Sequence, residues 1–218
     1  MKLVYANGAC SLAVHILLEE LGESYEYIRV DLMDKKVLES YNPLGYVPVL
    51  ELDNGEIMLE ATSILLYLSL EKDSAFLPRE PFARAKCVEW LSFISSELHK
   101  LAGPLFHRQD LTDNYLKFTF DKLEKRLEII DERLQNNAFL MGLLPSVADF
   151  YALAILRILE HVKVPFDHFE AIRSYKKTLE EMPSIAKVLK EEQSAPLERR
   201  VREIKPRNVE GYLEERRQ

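Results

Sequence analysis

Lys2-Leu3-Val4-Tyr5-Ala6-Asn7-Gly8-Ala9-Cys10-Ser11-Leu12-Ala13 opens the chain with a change of structural period. Lys2–Tyr5 reads as a buried strand, and Asn7-Gly8 as the turn that ends it. From Ser11 onward Leu12, Ile16 and Leu17 fall at helical spacing up to Leu21, and Gly22 stands where a glycine stops a helix. A strand that turns directly into a helix is the first step of an α/β unit. Cys10 sits at the join, where free backbone N–H groups and the helix dipole favour an anion and so a thiolate. Position alone leaves a reactive thiol and an inert buried cysteine equally open.

The following residues continue the unit. Tyr25–Val30 is a second strand by its β-branched and aromatic content, and Asp34–Ser40 a brief irregular helix. Val49–Leu52 and Glu56–Leu59 flank Asp53-Asn54-Gly55, a hairpin signal in which Asn-Gly supplies the positive φ. Ala61–Leu70 is an apolar helix. Strand signals end there. The spacing predicts helices over Phe82–Ala102, stopped by Gly103-Pro104, and over Thr112–Asn136. Ser146–His161 is apolar nearly all round, as a helix inside a bundle is, and opens on a capping box of Ser146 and Asp149. Asp167–Glu181 and Pro183–Glu192 are two more helices. The expected organisation is an α/β domain over 1–72, a linker over 73–82, an all-helical domain over 83–195 and a charged tail over 196–218.

Composition narrows the function. The net charge of −7 argues against a nucleic-acid partner bound through a basic face. Phe150–Leu159, interrupted by Arg157, is too short to span a membrane. Two cysteines, Cys10 and Cys87, are too few for a disulfide framework, so a reducing, cytoplasmic setting is expected. Ala13, in the fourth place of Cys10-Ser11-Leu12-Ala13, excludes a dithiol mechanism, so thiol chemistry here needs an external thiol.

Two further segments suit a small peptide ligand. Pro48, just before a strand, leaves the Val47 backbone groups open to an extended peptide, although most such prolines are only structural. At Glu60-Ala61-Thr62 the free N–H groups of a helix start suit a carboxylate and Glu60 an ammonium; the plain alternative is an ordinary helix cap. His99 shares a helix face with Ser92, Ser95 and Ala102, and His107 is its competitor beyond the helix break. Neither histidine has metal-ligand spacing, so no metal is expected.

Tyr5–Ala13, Asn42–Leu50, Glu60 with the helix after it, Glu89-Trp90-Leu91 with Glu97-Leu98-His99-Lys100, and Ser146-Val147-Ala148-Asp149 together resemble the bacterial beta-class glutathione transferases, in order and at compatible spacing. The resemblance implies a thioredoxin-like N-terminal domain, an all-α C-terminal helical bundle, and a homodimer with glutathione as co-substrate. It places Cys10 beside the glutathione sulfur and the Val47 backbone, before a cis-Pro48, against the cysteinyl part. It gives Glu60 the γ-glutamyl ammonium, the Ala61 and Thr62 amides its carboxylate, Lys35 the glycine carboxylate, and His99 with Lys100 the sulfur region. Tyr5 and Ser11 are both candidates for the hydroxyl that steadies the thiolate. Ala61 departs from the serine found in many transferases, a loss of about 1.5–3 kcal/mol in ligand binding if nothing replaces that hydrogen bond. The activity implied is conjugation of glutathione to small hydrophobic electrophiles, with thiol-disulfide exchange or peroxide reduction through Cys10 as further routes. A non-catalytic binding module on the same fold, or a glutathione-dependent isomerase, is the alternative.

Overall fold

The structure is a computed structural model and describes residues 1–194; the charged tail expected over 196–218 lies outside the described residues. Four strands, β1 (Lys2–Tyr5), β2 (Glu26–Arg29), β3 (Val49–Glu51) and β4 (Ile57–Leu59), form one sheet in the order β2-β1-β3-β4. β1 and β2 are parallel, with Lys2 opposite Glu26, and the other pairs are antiparallel. The parallel pair needs a crossover, which α1 (Leu12–Glu20) supplies. α2 (Lys35–Glu39) is short, and the Asp34 carboxylate caps it by accepting the Val37 N–H at 3.2 Å.

Alternation along β1 divides the core. Leu3 and Tyr5 join the large cluster with α1 and α3 (Ala61–Glu71), whereas Val4 joins Val30, Val37, Leu38 and Val49 on the opposite face. Every residue from Leu12 to Leu18 is buried, because α1 packs between the sheet and the helical part of the chain.

The helical part begins with α4 (Pro81–Phe93), where Glu80 accepts the Phe82 and Ala83 N–H groups and Pro81 fills a position with no donor to lose. The single helix expected to Ala102 is not uniform. After α4 it passes through a π-helical turn, Ile94–His99, then α5 (Lys100–Ala102), and Gly103-Pro104 tightens it into a 3₁₀ segment, Gly103–Asp110, that kinks at His107. The wider turn changes which side chains share a face, as such bulges do at functional sites.

α6 (Asp113–Gln135), α7 (Val147–His161), α8 (Glu170–Glu180) and α9 (Pro183–Ser194) complete the bundle. α7 is buried along most of its length and touches α1, α3 and α4. The capping box holds as read: Asp149 accepts the Ser146 N–H and hydroxyl, each at 2.7 Å, and also the Leu140 N–H and the Tyr175 hydroxyl. α9 returns to α1, where His15 and Glu192 meet at 3.1 Å with both side chains buried. The α/β unit followed by a helical bundle is the expected fold class. No helix among the described residues is long and apolar enough to cross a membrane.

Candidate functional site

A cavity of about 980 Å³ opens between the sheet's loops and the helical bundle. On one side lie Gly8–Cys10, Tyr46–Pro48, Glu60 and Ala61; on the other lie Ser95, His99 and Tyr151. The strand-to-helix turn of the opening sequence builds the first wall, with Gly8 at φ 73. The Val47–Pro48 peptide is cis.

Cys10 reaches this wall but is 8% exposed, and its thiol donates to the Val47 carbonyl at 3.4 Å. Burial pushes the thiol up to about 12, and the nearby Glu60 carboxylate adds to that push. The Cys10 and Ser11 N–H groups pull the other way without prevailing. Of the two readings that position leaves open, burial favours the protonated thiol: desolvation of the sulfur outweighs the partial charge of one helix end. In this state Cys10 is a protonated donor.

Glu60 ends the loop before α3 at φ 68, a left-handed conformation that strains a residue with a Cβ. Its exposed carboxylate lines the cavity, next to the buried Ala61 and the free N–H groups of the first α3 turn. An ammonium–carboxylate pair fits this edge.

The opposite wall depends on the π turn. Ser95 and His99 both line the cavity, whereas Ser92, expected on the same face, is exposed elsewhere and Ala102 is fully buried. His99 Nδ1 lies 3.0 Å from the Tyr151 hydroxyl, with the two rings perpendicular. Ser95 lies beside Tyr151 and partly offsets the rise that burial imposes on its phenol. Burial keeps the Tyr151 phenol well above its ordinary range, and proximity to Cys10 raises it further, so it is a neutral hydroxyl. Burial lowers His99 below the usual histidine value, which favours the neutral ring. Together these groups form a chain, Ser95 to Tyr151 to His99.

Of the residues read from the sequence, Cys10, Val47, Pro48, Glu60, Ala61, His99 and Lys100 line the cavity. Tyr5, Ser11, Lys35, Thr62 and His107 do not. Ser11 is fully buried, and its hydroxyl bonds to the Ala6 N–H and carbonyl, both at 3.3 Å. Tyr5 is directed into a cluster with His15 and Tyr27, where burial pushes its phenol up to about 12. Lys35 lies along the Gly45 turn. Thr62 is half-buried on α3. Tyr151 was missed, and only its hydroxyl within an otherwise apolar helix marks it out. Among the described residues no group of His, Cys, Asp and Glu could hold a metal.

The geometry has known counterparts. Residues 8–71 match the family model for the glutathione S-transferase N-terminal domain, and residues 93–183 that for the C-terminal domain. The chain is 36% identical to glutathione S-transferase GstA of Escherichia coli O157:H7, over 88% of this chain and 98% of that protein. This chain belongs to the glutathione S-transferase family.

Solved glutathione S-transferases share its backbone. A bacterial transferase, BphK, solved as a ternary complex, superposes with a TM-score of 0.84 at 32% identity, covering 88% of this chain and 100% of that one. A beta-class glutathione S-transferase from Sphingomonas chungbukensis gives 0.81 at 34%, over 89% of this chain and 100% of that one. A sphingomonad transferase solved with glutathione gives 0.81 at 33%, again over 89% and 100%. The bacterial beta-class resemblance read from the sequence therefore stands.

Proposed function

We propose that this glutathione S-transferase conjugates glutathione, through its thiolate, to small electrophiles. The observation that carries the reading is one cavity that faces Cys10, the Val47 backbone and Glu60 on one wall and the Ser95–Tyr151–His99 chain on the other. In this reading Val47 pairs with the cysteinyl part of glutathione by backbone hydrogen bonds. Glu60 holds the γ-glutamyl ammonium, and the Ala61 and Thr62 amides hold the carboxylate beside it. Lys100 adds positive charge on the opposite wall.

His99 acts on the sulfur. Tyr151 donates to Nδ1, which leaves the proton of the neutral ring on Nε2. That N–H is then a preset donor for the glutathione thiolate, and Ser95 supports it from beside Tyr151. Tyr151 is thus a positioning residue and His99 the contacting one. The thiolate attacks the electrophile while Cys10, held protonated, supports the Val47 carbonyl. Tyr5 and Ser11 have no part in this scheme, since both point into the core.

A second route, exchange of a disulfide through Cys10, is favoured by one contact: the Cys10 thiol already sits on the Val47 carbonyl, where a ligand's cysteine would lie. Burial of that thiol makes it the slower route.

We take the division near residues 73–82 as the domain boundary and the cytoplasm as the setting, the latter supported by the free thiols of Cys10 and Cys87. Homodimerisation is supported by the exposure of Phe82, Leu143 and Leu144, and sedimentation at micromolar concentration tests it. Calorimetric titration with glutathione, followed by turnover of 1-chloro-2,4-dinitrobenzene, tests the main reading. No binding of glutathione would sink it. Binding without turnover of this or other electrophiles and disulfides would favour a non-catalytic module instead.

A further inference from the structure

The cavity is also lined by Phe106 and by the last turn of α7. Ile158 is buried there, and the Phe106 and His161 rings pack with centroids 5.8 Å apart at 35°, an apolar and aromatic wall. Most charges at this end cancel. Arg157 pairs with Glu180, and Lys176 lies 3.1 Å from Glu180 and 3.2 Å from Glu160. These two cations and two carboxylates form one chain without net charge. Lys163 also lines the cavity, and it has no ion-pair partner among the described residues.

The backbone of Lys163 is unusual. It lies at φ 61, just past α7, where its N–H bonds the Glu160 carbonyl at 3.1 Å and the Val164 N–H bonds the Leu159 carbonyl at 2.9 Å. This is the Schellman arrangement, whose left-handed position is ordinarily glycine. A cation near a helix C-terminus is favoured by the dipole, but at an exposed end that benefit is of the same order as the strain of a left-handed backbone. Stability alone therefore gives no preference for lysine, and strain held at a cavity wall points to use of the side chain.

Resting on the transferase reading, we propose that the electrophile is an aromatic compound bearing an anionic group such as a carboxylate, with its ring against Phe106 and Ile158 and the anion toward Lys163. In such a substitution the glutathione thiolate forms a C–S bond at the ring carbon that carries the leaving group. The carbon–halogen bond then breaks, the halide leaves with the electron pair, and the thiol proton has already passed to water.

The test compares 4-chloro-3,5-dinitrobenzoate with its neutral amide, 4-chloro-3,5-dinitrobenzamide, in the wild type and in Lys163→Gly. Glycine adopts φ 61 without strain, so this variant keeps the fold. The expected result is a loss of about five- to twentyfold in kcat/KM for the benzoate, with less than about a twofold change for the amide. Equal changes on both substrates, or none on the benzoate, would overturn the proposal and leave the transferase reading intact. Turnover of neither by the wild type would overturn the proposal, while the transferase reading is decided separately by glutathione binding and turnover of 1-chloro-2,4-dinitrobenzene.

Discussion

The Cys10 sulfur lies 3.4 Å from the Val47 carbonyl oxygen, so the thiol and the backbone that suits a peptide ligand share one hydrogen bond. Burial raises the thiol from 9.0 to about 12, which lowers its thiolate fraction near neutral pH about a thousandfold relative to a free cysteine. Iodoacetamide at pH 7, followed by intact-mass measurement, should leave Cys10 unmodified long after a free thiol has reacted. Rapid labelling of Cys10 in the native protein would show that the thiolate is stabilised after all. The sign for stability follows: the folded value is the higher one, so the protonated thiol favours the fold below pH 9 and that contribution is lost between 9 and about 12.

Removing the hydroxyl that serves His99 should be visible as a pH effect. Burial holds the histidine pKa down; in the proposed scheme the Tyr151 hydroxyl, 3.0 Å from Nδ1, donates to the neutral imidazole and so acts in the same direction. Tyr151→Phe should therefore move the acid limb of kcat/KM to higher pH, with a loss of roughly tenfold in kcat at neutral pH. A uniform loss with no displacement of the limb would mean that Tyr151 serves packing alone.

Glu60 sets binding against stability. Glu60→Gly relieves the backbone at φ 68 and should raise stability by about 1 kcal/mol in urea unfolding. The same change removes the carboxylate that faces the cavity and should weaken glutathione binding by about 10- to 100-fold in calorimetry. Unchanged affinity would release Glu60 from its assigned role.

His15 and Glu192 tie α9 to α1 at 3.1 Å, and the Gly8 backbone near Glu192 partly offsets the rise that burial imposes on that carboxyl. Glu192→Ala leaves the buried His15 without its hydrogen-bond partner, and a buried polar group left unsatisfied costs about 1–3 kcal/mol. The midpoint of urea unfolding should fall accordingly. A variant as stable as the wild type would show that water replaces the contact.

Asp149 accepts hydrogen bonds from Leu140, Ser146 and Tyr175 at 2.7–2.8 Å and is fully buried. Asp149→Ala strands several donors at once, each unsatisfied group costing about 1–3 kcal/mol. The variant should be recovered largely unfolded, whereas Asp149→Asn, which keeps the acceptor oxygen for the Leu140 N–H, should fold with reduced stability. Circular dichroism with thermal melting separates the two outcomes.

Local chemistry was readable along the chain. Period-two residues at Leu3–Tyr5, the Asn7-Gly8 turn and the Ser146/Asp149 box specify strand, turn and helix through contacts within a few residues. Three-dimensional neighbours left no such trace. His99 and Tyr151 are 52 positions apart, and the face that brings His99 to the cavity depends on a π turn that the helical spacing did not predict. Ser11 and Tyr5 read as hydroxyls near the thiol, but side-chain direction sends both into the core.

Cys10 marks the division most clearly. The sequence by itself determined that it stands at a strand-to-helix turn, without a second thiol, beside Pro48 and Glu60 in a glutathione S-transferase order. Only the tertiary structure decided its charge state, because the dipole of α1 is a local property whereas desolvation depends on everything folded over the sulfur. The same holds across the cavity, where Tyr151 meets His99 and where Lys163 has no ion-pair partner among the described residues, an arrangement that exists only once α7 is packed.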